Sequence, residues 1–381
     1  MSEWKEYKLG EIATFISEKV SVKDISIENY ISTENMVSDK GGIIVATNKP
    51  LDGTITKYYP NNILVSNIRP YFKKIWFSNK DGGCSNDVLC FEANTKYINS
   101  KYLYFLLSQD LFFDYVMLGS KGCKMPRGDK SHIMNWDISL PPLPEQIRIA
   151  SILSSLDDKI DLLHRENKTL ETMAETLFRQ WFIEEAKEDW EEGKLGDFVS
   201  VIDNRGKTPP YTDNITEYPI IEVNALTGED RYVKYNLVKK YVEKDIYDFW
   251  FRGYFHKYDI FVSTVGSIGE LAMCLEEKGV IAQNVIALHA NNISPFYLYQ
   301  YLNYNKDDLK GLDIGSVQPS IKVPHLLNMS IIIPPHDKLK EYDIIMLDII
   351  EKEEKNIKQI QTLIQQRDGL LPKLMSGEVK I

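Results

Sequence analysis

Two clusters of basic side chains carry the chemistry this chain offers most plainly. NIRPYFKK supplies Asn67, Arg69, Lys73 and Lys74, and GSKGCKMPRGDKSH supplies Lys121, Lys124, Arg127 and Lys130. Lysine ammonium groups mainly hold phosphates. Arg, Asn, Gln, Ser and Thr make the bidentate or adaptable hydrogen bonds that read base edges. Farther along, DNRGKTPPY contributes Arg205 and Lys207, and IGSVQPSIK contributes Gln318, Ser320 and Lys322. All of these are candidates for contact with double-stranded DNA, while Lys234, Lys239 and Lys240 supply further charge in the same part of the chain. A solvated loop of ordinary composition would look the same.

Other chemistries find little support. Thr208-Pro209-Pro210-Tyr211 resembles the (Asn/Asp/Ser)-Pro-Pro-Tyr motif of amino-methyltransferases, but Thr lacks the amide or carboxylate oxygen at the first position. No FxGxG-like glycine loop follows a strand to hold S-adenosylmethionine. The chain also has no GxxxxGK[ST] loop, no D…ExK nuclease cluster and no convincing Ser/His/Asp set. Cys84, Cys90, Cys123 and Cys274 match no CxxC spacing, and the six histidines form no HxxxH or HExxH pair. The expectation is a non-catalytic protein with no cofactor and no metal, its cysteines reduced thiols in the cytoplasm.

The elements that must position the basic loops come from a sequence written twice. WKEYKLGEI (4–12) returns as WEEGKLGDF (190–198), NNILVS (61–66) as YDIFVS (258–263), and YLYFLL (102–107) as YLYQYL (297–302). Asn86 is matched with Asn284, LGS (118–120) with IGS (314–316), and ISLPPLPEQ (138–146) with IIIPPHDKL (331–339). A repeat of this length is too long for a solenoid unit and means two similar globular domains, each followed by a helix. Candidate strands are 41–47, 63–67, 74–79, 259–264 and 285–290, with amphipathic helices at YLYFLLSQ and YLYQYLNY. Tyr58, Tyr59, Tyr71 and Tyr211 read as loop residues.

Segment 144–186 opens on Pro144 and Glu145, suited to a helix start. Leu156, Ile160, Leu163, Asn167, Leu170, Ala174, Leu177 and Trp181 follow at alternating spacings of four and three, the heptad pattern of a coiled-coil seam. Such a helix would be roughly 60 Å long. The second, about 337–376, repeats Ile350, Ile357, Ile364 and Leu371 with Leu347 and Ile360 beside them, and stops at Gly377. The head-to-tail repeat favours the two helices packing on each other, antiparallel; pairing between two chains is the competing use of the stripes. Asn167 either fixes register or sits at a solvent edge.

The net charge of −10 is uneven. Residues 1–143 carry 17 Lys+Arg against 16 Asp+Glu, whereas residues 144–189 and 190–333 each stand at −5. Phosphate binding needs local rather than total positive charge, and only the first copy is near neutral. No stretch approaches the roughly 18 unbroken apolar residues of a membrane span, so no membrane partner is expected.

The order WKEYKLGEI, a variable domain and LPPLPEQIRIASILSSLDDKIDLLHRENKTLETMAETLFRQWFIE resembles the specificity subunit of type I restriction–modification systems. WEEGKLGDF, GKTPPY, IGSVQPSI, IIIPP and the helix ending LLPKLMSGEV are similar to its second half. The resemblance spans essentially the whole chain; HDKLKEYD stands where the first copy has LPEQIRIA. It implies an α/β, more narrowly α+β, protein of two target-recognition domains joined by two long antiparallel coiled-coil helices around a pseudo-two-fold axis. Their boundaries would be 1–143 and 190–333 for the domains, and 144–189 and 334–381 for the helices. Each domain would read one half of a split DNA site, and the helices would set the gap. The helices would also dock two modification (methyltransferase) subunits, and restriction (endonuclease) subunits would join the assembly. Glu145, Gln146, Phe178, Trp181, Phe182 and Leu374 would be structural and partner-facing.

Overall fold

The computed structural model describes residues 4–122, 124–204, 206, 208–228, 231–281, 283–315 and 317–379. They form two compact units, residues 1–161 with 360–381 and residues 162–359.

In the first unit the ends of the globular copy are clasped together. Strand β1 (Lys5–Lys8) pairs antiparallel with β10 (Asp137–Leu140), from Lys5 opposite Leu140 to Lys8 opposite Asp137. Between them lie β2 (Ala13–Phe15), β3 (Lys19–Ser21), β4 (Tyr30–Ile31), β5 (Thr54–Tyr58), β6 (Ile63–Ser66), β7 (Ile75–Phe77), β8 (Gly82–Cys84) and β9 (Val88–Ala93). One four-stranded antiparallel sheet has the order β2-β9-β6-β7. The other, β3-β5-β8-β4, ends in a parallel pair between β4 and β8. Four short helices, α1 (Leu9–Ile12), α2 (Ser100–Leu107), α3 (Asp110–Leu118) and α4 (Lys130–Met134), precede the long α5 (Leu143–Arg179).

The second unit repeats this plan. β11 (Glu191–Lys194) is clasped to β19 (Ser330–Ile333), with Glu191 opposite Ile333. The main sheet has the order β12-β18-β15-β16, built from β12 (Val199–Ile202), β15 (Ile260–Ser263), β16 (Leu271–Met273) and β18 (Val285–Ala290). A three-stranded sheet joins β13 (Tyr218–Ile221), β14 (Tyr241–Val242) and β17 (Val280–Ile281), with β13 and β17 parallel. Its helices are α6 (Lys244–Trp250), α7 (Pro295–Tyr304), α8 (Lys306–Gly311), α9 (Val323–Leu327) and the long α10 (His336–Met375), which gives way to Gly377 at φ +74°. No helix among the described residues is long and apolar enough to cross a membrane.

The repeated Lys-Leu-Gly motif has a physical reason in both units. Leu9 and Leu195 are fully buried, and their N–H groups donate to Trp136 O (2.9 Å) and Met329 O (2.8 Å). A Cβ on Gly10 would stand 3.2 Å from Met134 O, and one on Gly196 3.1 Å from Leu327 O. The helix before each closing strand therefore lies against a residue that must stay small. The repeated YLY motif places Tyr102 and Tyr297 in the two cores; Asn99 caps α2 and Ser294 caps α7 through their side chains.

Each core is completed by a piece of both long helices. In the first unit the β2-β9-β6-β7 sheet and α2–α3 bury Ile149, Ala150 and Leu153 of α5 together with Leu371, Leu374 and Met375 of α10. In the second, the β15–β16–β18 face and α7 bury Ala174 and Phe178 of α5, Phe182 just beyond it, and Leu339, Tyr342, Met346, Ile349 and Ile350 of α10. The helices run antiparallel within that unit: Phe182 packs edge-on to Tyr342, and Asn356 Nδ2 donates to Asn167 Oδ1 at 2.8 Å. Asn167 is thus a seam residue with a partner. The buried α10 residues of this unit are Tyr342, Met346, Ile349, Ile350, Glu353 and Asn356, with Ile357 partly buried; Ile350 and Ile357 are thus on the stripe as expected, whereas Leu347, expected beside it, is 37 % exposed.

Two further expectations are corrected. Residues 41–47 form no strand: Asp39, Lys40 and Gly42 take positive φ, a single bridge joins Met36 to Ile43, and Ile44 and Val45 stand exposed. Tyr58 is not a loop residue but a fully buried member of β5.

The polar core of the second unit is costly. Glu353 and Arg231 are 1 % and 2 % exposed; Arg231 Nη2 donates to Glu353 Oε1 at 2.8 Å and Tyr232 O–H to Glu353 Oε2. The Arg231 backbone N–H donates to Glu171 Oε1 on α5 at 2.9 Å. Burial raises the Glu353 carboxyl above its ordinary range, against the pull of Arg231 and Tyr232. Removing one member strands the other charge. Glu353→Ala should lower the stability of this unit by about 3–5 kcal/mol, and Glu353→Leu with Arg231→Met should recover most of it, read by urea denaturation.

A pH effect follows from α4. Asp129 Oδ1 caps the helix by accepting from Ser131 N–H (2.9 Å) and His132 N–H (3.2 Å), and Lys121 Nζ donates to its Oδ2 at 2.7 Å. Lys121, then the capped amides, hold this carboxyl at about 2, below its usual 3.8. A lowered folded value contributes stability that is present above the ordinary value and lost as pH falls through the folded one. The Asp129 carboxyl carbon should titrate near 2 by NMR, and the α4 amides should lose protection in that same window.

Candidate nucleic-acid interface

The two basic clusters of the first unit meet on a ladder of backbone hydrogen bonds beyond the end of β6. Asn67 N–H donates to Asp87 O (2.8 Å), Arg69 N–H to Pro126 O (2.8 Å) and Gly128 N–H to Asn67 O (3.3 Å). Lys121 and Arg127 exchange N–H···O bonds of 3.0 Å in both directions. A third loop lies over the same place, through Asp39 N–H to Phe72 O (2.9 Å) and Lys40 N–H to Lys73 O (3.0 Å).

The side chains sort by what already holds them. Asn67 is buried, its Oδ1 has no partner among the described residues, and a Cβ on Gly128 would come within 2.7 Å of it. It belongs under the ladder rather than on it. Lys73 and Lys40 share the two oxygens of Asp110, each at 3.0 Å; burial opposes its ionisation, but the two ammonium groups hold that carboxyl below its usual range. Lys74 is half-buried, donates to Thr33 O at 2.7 Å, and has its pKa lowered by burial. Lys121 is paired with Asp129 and Arg127 with Asp87, both on exposed ground. Lys130 Nζ stands 5.6 Å from the Phe15 ring centroid. Arg69 and Lys124 are exposed and form no ion pair among the described residues. The exposed surface of the ladder is therefore positive and rich in donors, with Tyr71, Phe72 and Met125 exposed beside it.

The second unit builds the same ladder with other side chains. Thr264 N–H donates to Asn284 O (2.8 Å), Gly266 N–H to Pro319 O (3.0 Å), Ile314 N–H to Ser320 O (3.0 Å) and Ile321 N–H to Thr264 O (2.9 Å). Gly266 thus stands where the first unit has Arg69, Ser320 where it has Arg127, and Gln318 where it has Met125. This pattern also moves two matches drawn from the repeat. Asn284 corresponds to Asp87 rather than Asn86, and Ile314 to Lys121, so LGS and IGS are not equivalent. Asp313 shapes the loop by accepting from Gly315 N–H and Ser320 N–H, both at 2.8 Å, which lowers its pKa. Gln318 and Lys322 are exposed and Ser320 is half-buried. Lys240 pairs with Glu222 at 2.8 Å and lies 5.1 Å from the Tyr211 ring centroid. Arg205 and Lys207 lie outside the described residues.

Among the residues expected to face partners, four are spent inside their own units. Gln146 is 1 % exposed; its Oε1 accepts from Asn99 N–H, and its Nε2 donates to Tyr97 O and Pro141 O. Phe178, Phe182 and Leu374 are core residues, while Glu145 and Trp181 remain half-buried. Sequence reasoning passed over Lys40, whose only signal is the Asp39-Lys40-Gly41-Gly42 turn. It also passed over the carboxylates Asp87, Asp110 and Asp129, which fix the basic groups. Among the described residues no group of three His, Cys, Asp or Glu side chains could hold a metal ion.

Comparison with known proteins agrees with this duplicated arrangement. The family model described as "Type I restriction modification DNA specificity domain" matches residues 1–172 and 187–366. The type I restriction enzyme MjaIX specificity subunit of Methanocaldococcus jannaschii is 28 % identical over 306 residues, covering 74 % of this chain and 69 % of that protein. The HindI specificity subunit of Haemophilus influenzae is 29 % identical over 191 residues, covering 48 % of this chain and 42 % of its own. Among solved structures, the type I restriction–modification S subunit from M. genitalium shares the fold with a TM-score of 0.60 at 17 % identity, over 97 % of this chain and 96 % of its own. Two family matches, one over each copy, place this chain in the type I restriction–modification DNA specificity domain family.

Proposed function

We propose that the chain is the non-catalytic, sequence-specific DNA-recognition subunit of a cytoplasmic type I restriction–modification complex. Each globular copy reads one half of a bipartite site. The paired helices set the length of the unread gap and dock two modification subunits, and restriction subunits join that assembly. The observation that carries this reading is the repeated ladder: one hydrogen-bonded frame, in each unit, presents a different set of exposed side chains. A shared frame with exchanged side chains suits two readers of different half-sites. The first unit's uncompensated Arg69 and Lys124 supply the local positive charge that a phosphate backbone requires.

Co-expression of the chain with a cognate methyltransferase, followed by genome-wide mapping of methylated bases, should return a split motif with a constant gap. Half-sites on one face of B-DNA repeat about every 34 Å. Deleting one heptad from both helices should therefore change the gap recognised and leave each half-site sequence intact. A stable complex that yields no motif would instead indicate a protein-binding adaptor. A change of half-site sequence on heptad deletion would sink the gap-setting role of the helices.

A further inference from the structure

We propose that Arg69 reads a guanine in the half-site of the first unit, an inference that rests on the DNA-reading function above. Arg69 adopts φ +49° and ψ +63°, in the left-handed region, directly before Pro70. That region disfavours any residue with a Cβ, and the following proline restricts its neighbour toward extended conformations. The second unit shows what the frame itself asks for: at the equivalent rung Gly266 stands at φ +82° and makes the same N–H···O bond to a proline carbonyl. Glycine fits this position without strain, yet the first unit keeps an arginine there.

No polar or charged group among the described residues of the unit engages that guanidinium. Its side chain is exposed, and among the described residues its guanidinium has neither a hydrogen-bond nor an ion-pair partner. The neighbouring basic groups differ, since Lys73, Lys121 and Arg127 are each matched to a carboxylate. A strained position holding an unspent planar fork is explained by a ligand outside the fold. The ligand that a guanidinium fork fits among base edges is guanine, through O6 and N7. The backbone ladder fixes where the fork starts, and Arg127, tied to Asp87 two bonds across the same frame, stands beside it.

Two variants separate base reading from phosphate holding and from a structural role. Arg69→Gly installs the residue of the second unit, and Arg69→Lys keeps the charge but loses the fork. Each would be co-purified with its methyltransferase subunits and assayed on oligonucleotide duplexes carrying every base pair at each specified position, beside a denaturation curve. In both variants discrimination at one G·C position of one half-site should fall roughly 10- to 100-fold. The other half-site should be unchanged, and the denaturation midpoint of Arg69→Gly should be equal to or higher than that of the parent chain. Full discrimination by Arg69→Lys, with a uniform loss of modification in Arg69→Gly, would assign Arg69 to a phosphate and overturn the proposal. A lowered midpoint in Arg69→Gly would assign it to the fold and overturn it too. A parent chain that methylates no split motif would bring down the DNA-reading function itself, and this inference with it.

Discussion

Neither globular copy closes its own hydrophobic core, and this constraint organises the protein. In the first unit the open side of the sheet is sealed by Leu153 from α5 and by Leu371 and Leu374 from α10. In the second it is sealed by Phe178 and Phe182 from one long helix or its extension and Tyr342 and Met346 from the other. A side chain of this size contributes on the order of 1.5–3 kcal/mol when fully buried, so these residues are a substantial part of each unit's stability. Within the second unit the stripes therefore serve two purposes, as sheet cover through Phe178 and Tyr342 and as helix–helix seam through Asn167 and Asn356.

The polar residues in that seam act by specificity rather than by strength. Asn167 meets Asn356 in one register only, and Glu353 reaches Arg231 and Tyr232 of the globular copy from the helix. A slip of either helix would leave amides and charges buried without partners, a penalty larger than the loss of any one apolar contact. The exposed ladders can then vary freely. They are held by backbone groups, so exchange of Arg69 for Gly266 or of Arg127 for Ser320 leaves the frame unchanged.

Much of this frame was legible in the residues because it depends on side-chain size and apolarity. Leu9 with Gly10 and Leu195 with Gly196 repeat since each pair needs a buried branch beside a bare backbone. The four-and-three spacing of α5 marked its seam because nearly all of its members are apolar. On α10 the repeated Ile350, Ile360 and Leu371 are buried and Ile357 is partly buried, as their spacing implies, but Glu353 and Asn356 are buried there too, and periodicity of apolar residues is blind to them. Segment 41–47 looked like a strand from composition alone, while its course is decided by positive φ values and by hydrogen bonds to Phe72 and Lys73. The ladder was beyond sequence reading altogether. Its equivalences follow carbonyl partners, not residue types, which is why LGS and IGS misled. Of the structural and partner-facing roles expected of Gln146, the structural one is visible: its amide, just after the proline run, is consumed by three nearby backbone groups.

The composition of the first core has a consequence for synthesis. Its sheet and short helices are complete by residue 161, but Leu371, Leu374 and Met375 are translated about 210 residues later. At ribosomal rates that interval is roughly 10–40 s. During it the nascent first copy carries an uncovered apolar face, whereas the second copy obtains its covering residues, Leu339 to Ile350, within a short stretch of its last strand. The copy made first is thus the later one to mature, and the interval is a window in which chaperones or a pre-formed partner could engage it.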